Sequence, residues 1–224
     1  AALVGQNDVR KTVMGRASRN PTEAEMRAME SIVDKAMRDG AVGMSTGLIY
    51  IPGTYSTTEE IVRLAKVAAK YNGVYASHMR DEGDSVVAAI EEALYIGTAA
   101  KMPVQISHFK LSGQQNWGRS RETLPLIINA RKNGLDVTID QYPYTASSTS
   151  LSTLMPDWVL ADGQDSIVAR LSRPAVRKEV TDYMLARLAK RKLKHFSYPV
   201  VAYYAKDTTL NGKSIEEVNI SSGK

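Results

Sequence analysis

Two of the three histidines in the chain, His78 and His108, each close the pattern Val-x-x-Ser-His at the end of a short apolar run. Such runs are typical of buried parallel strands, whose carboxyl ends hold ligands and catalytic groups in α/β proteins. A lone histidine there is more often a structural group, but two in one pattern favour a shared role. Two imidazoles at neighbouring strand ends suit a divalent ion such as zinc, although a catalytic zinc takes three protein ligands. We therefore predict a metal site that includes His78 and His108.

Cationic and phenolic side chains accompany these histidines along the chain. Arg80 and Lys110 each follow a histidine by two residues, Tyr142 follows the next strand, and Tyr50 follows the preceding one. Cations at the mouth of a metal site can bind an anionic group of a substrate. For Arg80, a surface ion pair with the adjoining acids 81–82 is an equally good explanation.

The elements that position these residues alternate between strand and helix. Helical periodicity and capping patterns predict helices that begin near residues 20, 57, 84 and 121. Strands are expected at residues 2–5, 41–45, 74–78, 104–108 and 137–140. A βα unit repeated about every 31 residues predicts a (β/α)8 barrel or an open doubly wound sheet. Only five strands fit, so a barrel would be incomplete.

The regular pattern ends after Tyr144. A polar loop at 145–150 precedes a helix near 164–171, a basic helix from 174 to about 194, and a loose strand pattern at 197–205. We predict a partial barrel over 1–146, an insertion or lid over 147–210, and a return to the barrel over 211–224.

Composition excludes several classes of protein. The chain of 224 residues is 43% hydrophobic and 24% charged, fractions ordinary for a globular protein. No apolar run approaches the roughly 18 residues of a membrane span, so no membrane partner is expected. Because these 224 residues contain no cysteine, disulfides and thiol catalysis are excluded within this stretch. No targeting leader is recognised, and we predict a cytoplasmic location with the periplasm as an alternative.

Four motifs in order resemble one enzyme family, the N-acyl-D-amino-acid deacylases, or D-aminoacylases, of the amidohydrolase superfamily. The similarity is continuous from about residue 3 to 160. The motifs are GAVGMSTGLIYIPG at 40–53, YASHMRDEG at 75–83, QISHFK at 105–110 and DQYPYTA at 140–146. Motifs of this length in the right order are specific.

The resemblance implies a metal-dependent (β/α)8 barrel that hydrolyses N-acyl-D-amino acids to a carboxylate and a free D-amino acid by a zinc-activated water. It makes His78 and His108 the zinc ligands of the fifth and sixth strands. Lys110, Tyr142 and Tyr50 match positions that hold the carboxylate and backbone of the substrate. We add Arg80 to the substrate-binding candidates because of its place beside His78. The segment 147–207 resembles a helical insertion that covers the site.

Several parts of the family pattern fall outside this chain. These are the His-x-His pair of the first strand, a bridging or cysteine ligand, and the catalytic aspartate of the eighth strand. The resemblance thus implies no catalytic residue within this chain, a general base beyond its C-terminus, and a central fragment covering strands three to seven. Gln6 is a further departure, because relatives commonly carry histidine there. We expect the fragment to be inactive and to self-associate through its exposed sheet edges.

Two alternatives remain. The first is a cyclic amide hydrolase of the dihydroorotase or hydantoinase kind, for which a carboxylated lysine is expected on the fourth strand. The run 42–46 has no lysine, which favours the deacylase. The second is a binding module for nucleic acid, because residues 173–194 carry a net charge of +6. Apolar residues repeat there at helical spacing, so we predict an amphipathic helix with a solvated basic face and no nucleic-acid partner.

Overall fold

Parallel strands form the centre of the fold in residues 1–223, which the computed structural model describes. The five strands are β1 (Val4–Gly5), β2 (Gly43–Gly47), β3 (Val74–His78), β4 (Val104–Ile106) and β5 (Val137–Ile139). They lie in the order β1-β2-β3-β4-β5, each beside the next in sequence. A doubly wound sheet changes direction at a switch point, whereas a barrel adds each strand beside the last. The observed order is therefore that of a barrel.

Helices connect the strands, and their first turns follow the capping residues of the sequence. These helices are α1 (Gln6–Met14), α2 (Glu23–Arg38), α3 (Thr58–Ala69), α4 (Val86–Ala100) and α5 (Ser120–Lys132). Thr22 and Glu25 form a capping box at α2, two residues beyond the predicted cap at Asn20. At α3, Thr57 accepts a hydrogen bond from the backbone of Glu60, as its spacing predicts.

Helix α1 was not predicted, because its buried face is partly polar. Gln6 and Arg10 are fully buried there beside Val9 and Met14. The Gln6 side chain donates to Ser56 Oγ at 2.7 Å and to Glu60 Oε1 at 3.1 Å. Gln6 is thus part of the contact between α1 and α3.

The core lies between the sheet and the helices and is close-packed. Its fully buried side chains include Met29 and Val33 of α2, Ile61 and Leu64 of α3, Ile90 and Ile96 of α4, and Met44, Tyr75 and Ile106 of the sheet. Helix α4 lies directly on β4 at Gly97, where a Cβ atom would come within 2.1 Å of Val104 Cγ2. Only glycine allows this approach, which fixes the strand that leads to His108.

The chain divides into two compact units. Unit 1 is Ala1–Pro143 with Leu160–Ile167, and unit 2 is Tyr144–Val159 with the residues from Val168 onward. Three further helices are α6 (Gln164–Leu171), α7 (Pro174–Lys190) and α8 (Ile215–Ser221). The basic helix α7 buries Val180 and Leu188, as its periodicity predicts, and ends four residues early. Among residues 1–223, no helix is both long and apolar enough to cross a membrane.

The predicted strand at 197–205 is wrong. In the described part of unit 2, this segment makes one isolated antiparallel bridge, between Val200 and Ser214. The loose alternation at 197–205 has no neighbouring strand to complete a ladder, so the bridge does not extend.

Candidate metal centre

The ends of β3 and β4 bring the two predicted metal ligands together. His78 is the last residue of β3, and Ser77 is in register with Ile106, the last residue of β4. The backbone N–H of Ser107 continues the ladder by donating to Ser77 O at 2.9 Å. The two imidazole rings consequently meet edge to face, with centroids 4.4 Å apart.

His108 lies in a turn rather than in the predicted strand 104–108, because β4 ends at Ile106. Its φ angle is +39°, a left-handed value that is uncommon outside glycine. Asp140 fixes this turn by accepting the backbone N–H of His108 at 2.6 Å on Oδ1 and the Gln105 amide at 2.7 Å on Oδ2. Such backbone outliers cluster at functional sites, where the surrounding structure enforces them.

Glu82 joins the two histidines and was missed as a ligand candidate. Potential ligand atoms of His78, Glu82 and His108 all lie within 4.8 Å of one another. Glu82 Oε1 lies 2.9 Å from His108 Nδ1, and Glu82 Oε2 lies 2.6 Å from Lys110 Nζ. Glu82 follows His78 by four residues in the loop before α4, a spacing that could have indicated it.

Two atoms of this cluster are buried without a hydrogen-bond partner among the described residues. They are His78 Nε2 and Glu82 Oε1, since the approach of His108 Nδ1 to that oxygen is not aligned as a hydrogen bond. A buried polar atom without a partner is costly and calls for an explanation. Two imidazoles and one carboxylate are also a donor set of catalytic zinc. The residues present therefore fit a divalent metal ion.

The protonation state of His78 suits metal binding. Burial, reinforced by the neighbouring His108 and Lys110, lowers the pKa of the His78 imidazole from its ordinary 6.5 to about 4. At neutral pH the ring is uncharged, which is the form that binds metals.

The predicted substrate-binding residues Tyr50, Lys110 and Tyr142 border the cluster. The Tyr50 ring centroid lies 5.1 Å from that of His78, and the Tyr142 centroid lies 6.5 Å from that of His108. Lys110 Nζ lies 3.1 Å from His108 Nδ1 and 5.5 Å from the centre of the Tyr142 ring. One cation and two phenols thus surround the candidate ligands.

The loop that carries Tyr50 is held by Asn7 of α1. Its side-chain amide donates to Gly47 O at 3.1 Å and to Tyr50 O at 3.2 Å, and its oxygen accepts from Gly47 N at 3.2 Å. Gly53 makes room for this amide, because a Cβ there would come within 2.6 Å of Asn7 Oδ1. The start of α1 therefore sets the position of Tyr50.

Arg80 holds the same loop from the other side. Its guanidinium donates to Thr54 O and Ser56 O, both at 3.0 Å, and pairs with both carboxylate oxygens of Glu92 at 2.9 Å. The partner of Arg80 is thus Glu92 of α4 rather than the adjoining acids 81–82. A direct contact of Arg80 with substrate remains a prediction.

Comparison with known proteins finds relatives among D-aminoacylases and N-acyl-D-amino-acid deacylases. No protein-family model matches the chain. A D-aminoacylase of Alcaligenes xylosoxydans xylosoxydans is 43% identical over 192 residues, which are 86% of this chain and 39% of that protein. An N-acyl-D-glutamate deacylase of the same organism is 41% identical over 85% of this chain and 38% of its own length.

Solved structures give the same result for the fold. A D-aminoacylase described as defining a novel subset of amidohydrolases matches with a TM-score of 0.74 and 33% identity, over 99% of this chain and 39% of that chain. An N-acyl-D-glutamate deacylase from Bordetella bronchiseptica, complexed with zinc and a phosphonate inhibitor, matches with a TM-score of 0.77 and 32% identity, over 100% of this chain and 39% of that chain.

The fold is therefore that of an amidohydrolase (β/α)8 barrel, of which the described sheet is an incomplete part. More narrowly, the chain belongs to the family of D-aminoacylases and N-acyl-D-amino-acid deacylases, which confirms the resemblance seen in the four motifs. The chain spans 30–39% of the length of the three curated relatives that it matches.

Proposed function

We propose that the protein with this chain hydrolyses the amide bond of N-acyl-D-amino acids to a carboxylate and a free D-amino acid. The observation that carries the proposal is the cluster of His78, Glu82 and His108 with Lys110 beside it, in a chain 41–43% identical to three such enzymes. Those relatives are named for D-amino acids in general, D-glutamate and D-aspartate, so the substrate is a small N-acylated amino acid.

Zinc is the metal that we propose for the cluster. A solved relative is complexed with zinc, and another is described with a binuclear metal centre. When bound, zinc supplies a Lewis acid that activates water and polarises the scissile carbonyl. His78 and His108 hold the ion in this proposal, and the lowered pKa of His78 keeps its imidazole available above about pH 4.

Lys110 is the proposed anchor of the substrate carboxylate, with Tyr142 and Tyr50 beside it. The ammonium group has one donor directed at Glu82 Oε2 and contacts His108 O at 3.2 Å, so its position is fixed before a substrate binds. A fixed anchor beside the metal orients the amide and selects one configuration at the α-carbon. Arg80 supports Tyr50 through the 54–56 turn, and its predicted contact with substrate is a further part of the proposal.

The general base is proposed to be an aspartate outside this chain, as the resemblance to the deacylase family implies. The 224 residues alone are then expected to be inactive. Self-association through β1 and β5, each paired on one side only in residues 1–223, also remains a proposal, to be measured by light scattering. The cytoplasmic location and the domain boundaries at 146 and 210 stay predictions.

A cyclic amide hydrolase is the less favoured alternative. Strand β2 (Gly43–Gly47) carries no lysine that could be carboxylated, and the relatives above are deacylases of acyclic substrates by name.

The deciding experiment uses the complete, zinc-loaded protein that contains this chain and compares matched N-acetyl-D- and N-acetyl-L-amino acids with apolar and acidic side chains. Release of the D-amino acid alone supports the proposal. No release from either enantiomer, with metal bound, would redirect it to another amide or a cyclic amide. Lys110→Ala should raise KM and lower kcat/KM for substrates with a carboxylate, and unchanged kinetics would contradict the anchor.

A further inference from the structure

The Tyr50 loop, residues 48–56, is anchored to the chain segment at the end of β3. At the start of the loop, Leu48 N donates to His78 O at 3.1 Å. Near its end, Arg80 donates to two backbone carbonyls of the loop, both at 3.0 Å. Because Arg80 follows His78 by only two residues, both anchors tie the loop to the strand end that carries His78.

Glu92 of α4 determines the orientation of the Arg80 guanidinium. The Glu92 side chain is 12% exposed, and its two oxygens accept from Arg80 Nε and Nη2, each at 2.9 Å. A two-point pair of this kind fixes the plane of both groups, which a single contact does not. The remaining N–H groups of Nη1 and Nη2 are thereby directed at the carbonyls of Thr54 and Ser56.

The position of the Tyr50 ring depends on this end of the loop. The ring centroid lies 5.1 Å from that of His78, and Gly47 leaves room for the ring, since a Cβ there would come within 2.9 Å of Tyr50 Cδ2. Thr54 N donates to Tyr50 O at 3.0 Å, and Thr54 O is one of the acceptors of Arg80. A displacement of Thr54 therefore moves the Tyr50 backbone and the phenol beside His78.

We propose that Glu92 is a positioning residue for the hydrolysis: by orienting Arg80, it holds the Tyr50 phenol where it contacts the substrate. The proposal rests on the role that the proposed function gives to Tyr50. Glu92 acts through Arg80 and the Tyr50 loop and does not itself hold the substrate.

A purely structural role is the competing explanation, because Glu92 also links α4 to α3. Thr58 Oγ1, at the first residue of α3, donates to Glu92 Oε1 at 2.8 Å. The two helices also bury apolar side chains in one core, among them Ile61 and Ile90, so they do not depend on this hydrogen bond to stay packed. Thr58→Val removes the link between the helices and leaves the pair of Glu92 with Arg80, which separates the two roles.

A double-mutant cycle in the complete, zinc-loaded protein that contains this chain tests the proposal. The variants are Glu92→Gln, Tyr50→Phe and the two combined, assayed with N-acetyl-D-leucine and N-acetyl-D-glutamate. Glu92→Gln keeps the shape of the side chain but removes its charge and one of the two acceptor oxygens. Thr58→Val and Glu91→Gln, an exposed change on α4, are the controls. Such a cycle shows whether two residues act through one interaction.

We expect Glu92→Gln to lower kcat/KM by about 10-fold or more, because a misplacement of about 1 Å can cost about 100-fold even when the mutation is far from the chemistry. In the Tyr50→Phe background the same change should cost less than about 2-fold, and both controls should stay within about 2-fold of the original protein. Equal losses in the two backgrounds would overturn the proposal. A loss in Thr58→Val as large as that in Glu92→Gln would also overturn it.

Hydrogen exchange of the same protein gives a second readout that needs no turnover. The Thr54 amide reports the Tyr50 loop, and the amide of Val33, fully buried on α2, reports opening of the whole fold. Glu92→Gln should speed exchange at Thr54 and leave Val33 unchanged. Equal acceleration at both amides, or none at Thr54, would overturn the proposal.

The two readouts separate this proposal from the proposed function. If the original protein releases no D-amino acid, the proposed function fails and the catalytic role of Glu92 fails with it, whatever the exchange at Thr54. If the D-amino acid is released but Thr54 exchange ignores Glu92→Gln, only the positioning role fails. Should Glu92→Gln not fold, Glu92→Asp replaces it in both measurements, because it keeps the charge and shortens the reach to Arg80 by one methylene.

Discussion

The position of His108 depends on Asp140 more than on strand β4. Beyond Ile106 the chain leaves the sheet, and His108 takes a left-handed backbone conformation. Asp140 accepts the backbone N–H of His108 at 2.6 Å and also accepts a hydrogen bond from the side chain of Gln105 in β4. Asp140 thus positions His108 in the candidate metal centre by holding its backbone.

Replacing Asp140 by alanine should therefore weaken metal binding. The His108 N–H loses its acceptor, and the strained turn can relax away from His78. Partners that orient metal ligands typically contribute roughly 10–100-fold to affinity, and we expect a loss of that size in cobalt titration. Asp136→Ala, an exposed position before β5, is the control. Equal affinities for the two variants would show that the turn holds without Asp140.

At the residue level, sequence patterns predict the two histidines of the cluster and miss the acidic residues that contact them from distant loops. His78 and His108 follow from a repeated Val-x-x-Ser-His pattern. Glu82 and Asp140 reach His108 only because a loop and a neighbouring strand fold back to it, and contacts across 26 and 32 residues leave no local pattern. For Arg80, its sequence neighbours suggested the wrong acidic partner, because α4 brings Glu92 closer.

Arg80 offers a second test at this scale. Its planar guanidinium group donates hydrogen bonds to two backbone carbonyls and one carboxylate at once, and a lysine ammonium cannot reproduce this geometry. Arg80→Lys should loosen the 53–56 turn and speed hydrogen exchange of the Ser56 amide, which bonds to Gly53 O at 3.0 Å. Arg119→Lys, at a more exposed ion pair, should leave that amide unchanged. If hydrogen exchange in Arg80→Lys were unaltered, Asn7 alone would hold the 53–56 turn in place.

Helix α1 depends on a buried ion pair for its place in the fold. Arg10 Nη1 lies 2.5 Å from Glu60 Oε2, with side-chain exposures of 0% and 2%. Gln6 and Ser56 both donate to the other oxygen of Glu60, and Arg10 also donates to Arg19 O at 2.6 Å. The polar network ties α1 to α3 and to the loop that carries Tyr50.

Arg10→Met should destabilise the protein by about 3–5 kcal/mol, because it leaves the buried Glu60 charge uncompensated. Urea denaturation followed by circular dichroism measures the change. The double variant Arg10→Met/Glu60→Leu removes both charges and should recover much of the loss. If the double variant is no more stable than the single one, packing rather than charge accounts for the effect.

The alternation of strand and helix could be predicted because apolar periodicity marks most of the elements. Helices α2 to α5 bury apolar faces on the sheet, so their spacing of about 31 residues per βα unit was visible. Helix α1 escaped prediction because Gln6 and Arg10 occupy its inward positions, and residues 197–205 were assigned to a strand that has no partner ladder. Both the missed helix and the wrong strand depend on which segments pack together in the folded chain, and the local sequence does not show this.

Across the whole molecule, charge and chemistry lie in different units. The segment 173–194 carries a net charge of +6, and the other residues sum to −1. That segment belongs to unit 2, whereas every residue of the candidate metal centre belongs to unit 1. The overall charge of +5 therefore describes helix α7 and not the site.

Zinc should stabilise unit 1 because folding assembles ligands that are 30 residues apart in the sequence. A ligand at 100 times its Kd adds about 2.7 kcal/mol, which raises Tm by roughly 5–10 °C for a unit of this size. Scanning calorimetry with zinc and with a chelator measures the shift. Magnesium, which prefers oxygen ligands, should have little effect. The double variant His78→Ala/His108→Ala should lose the shift. If it kept the shift, zinc would bind elsewhere, such as at His195 and Glu216 of unit 2, whose atoms lie 3.6 Å apart.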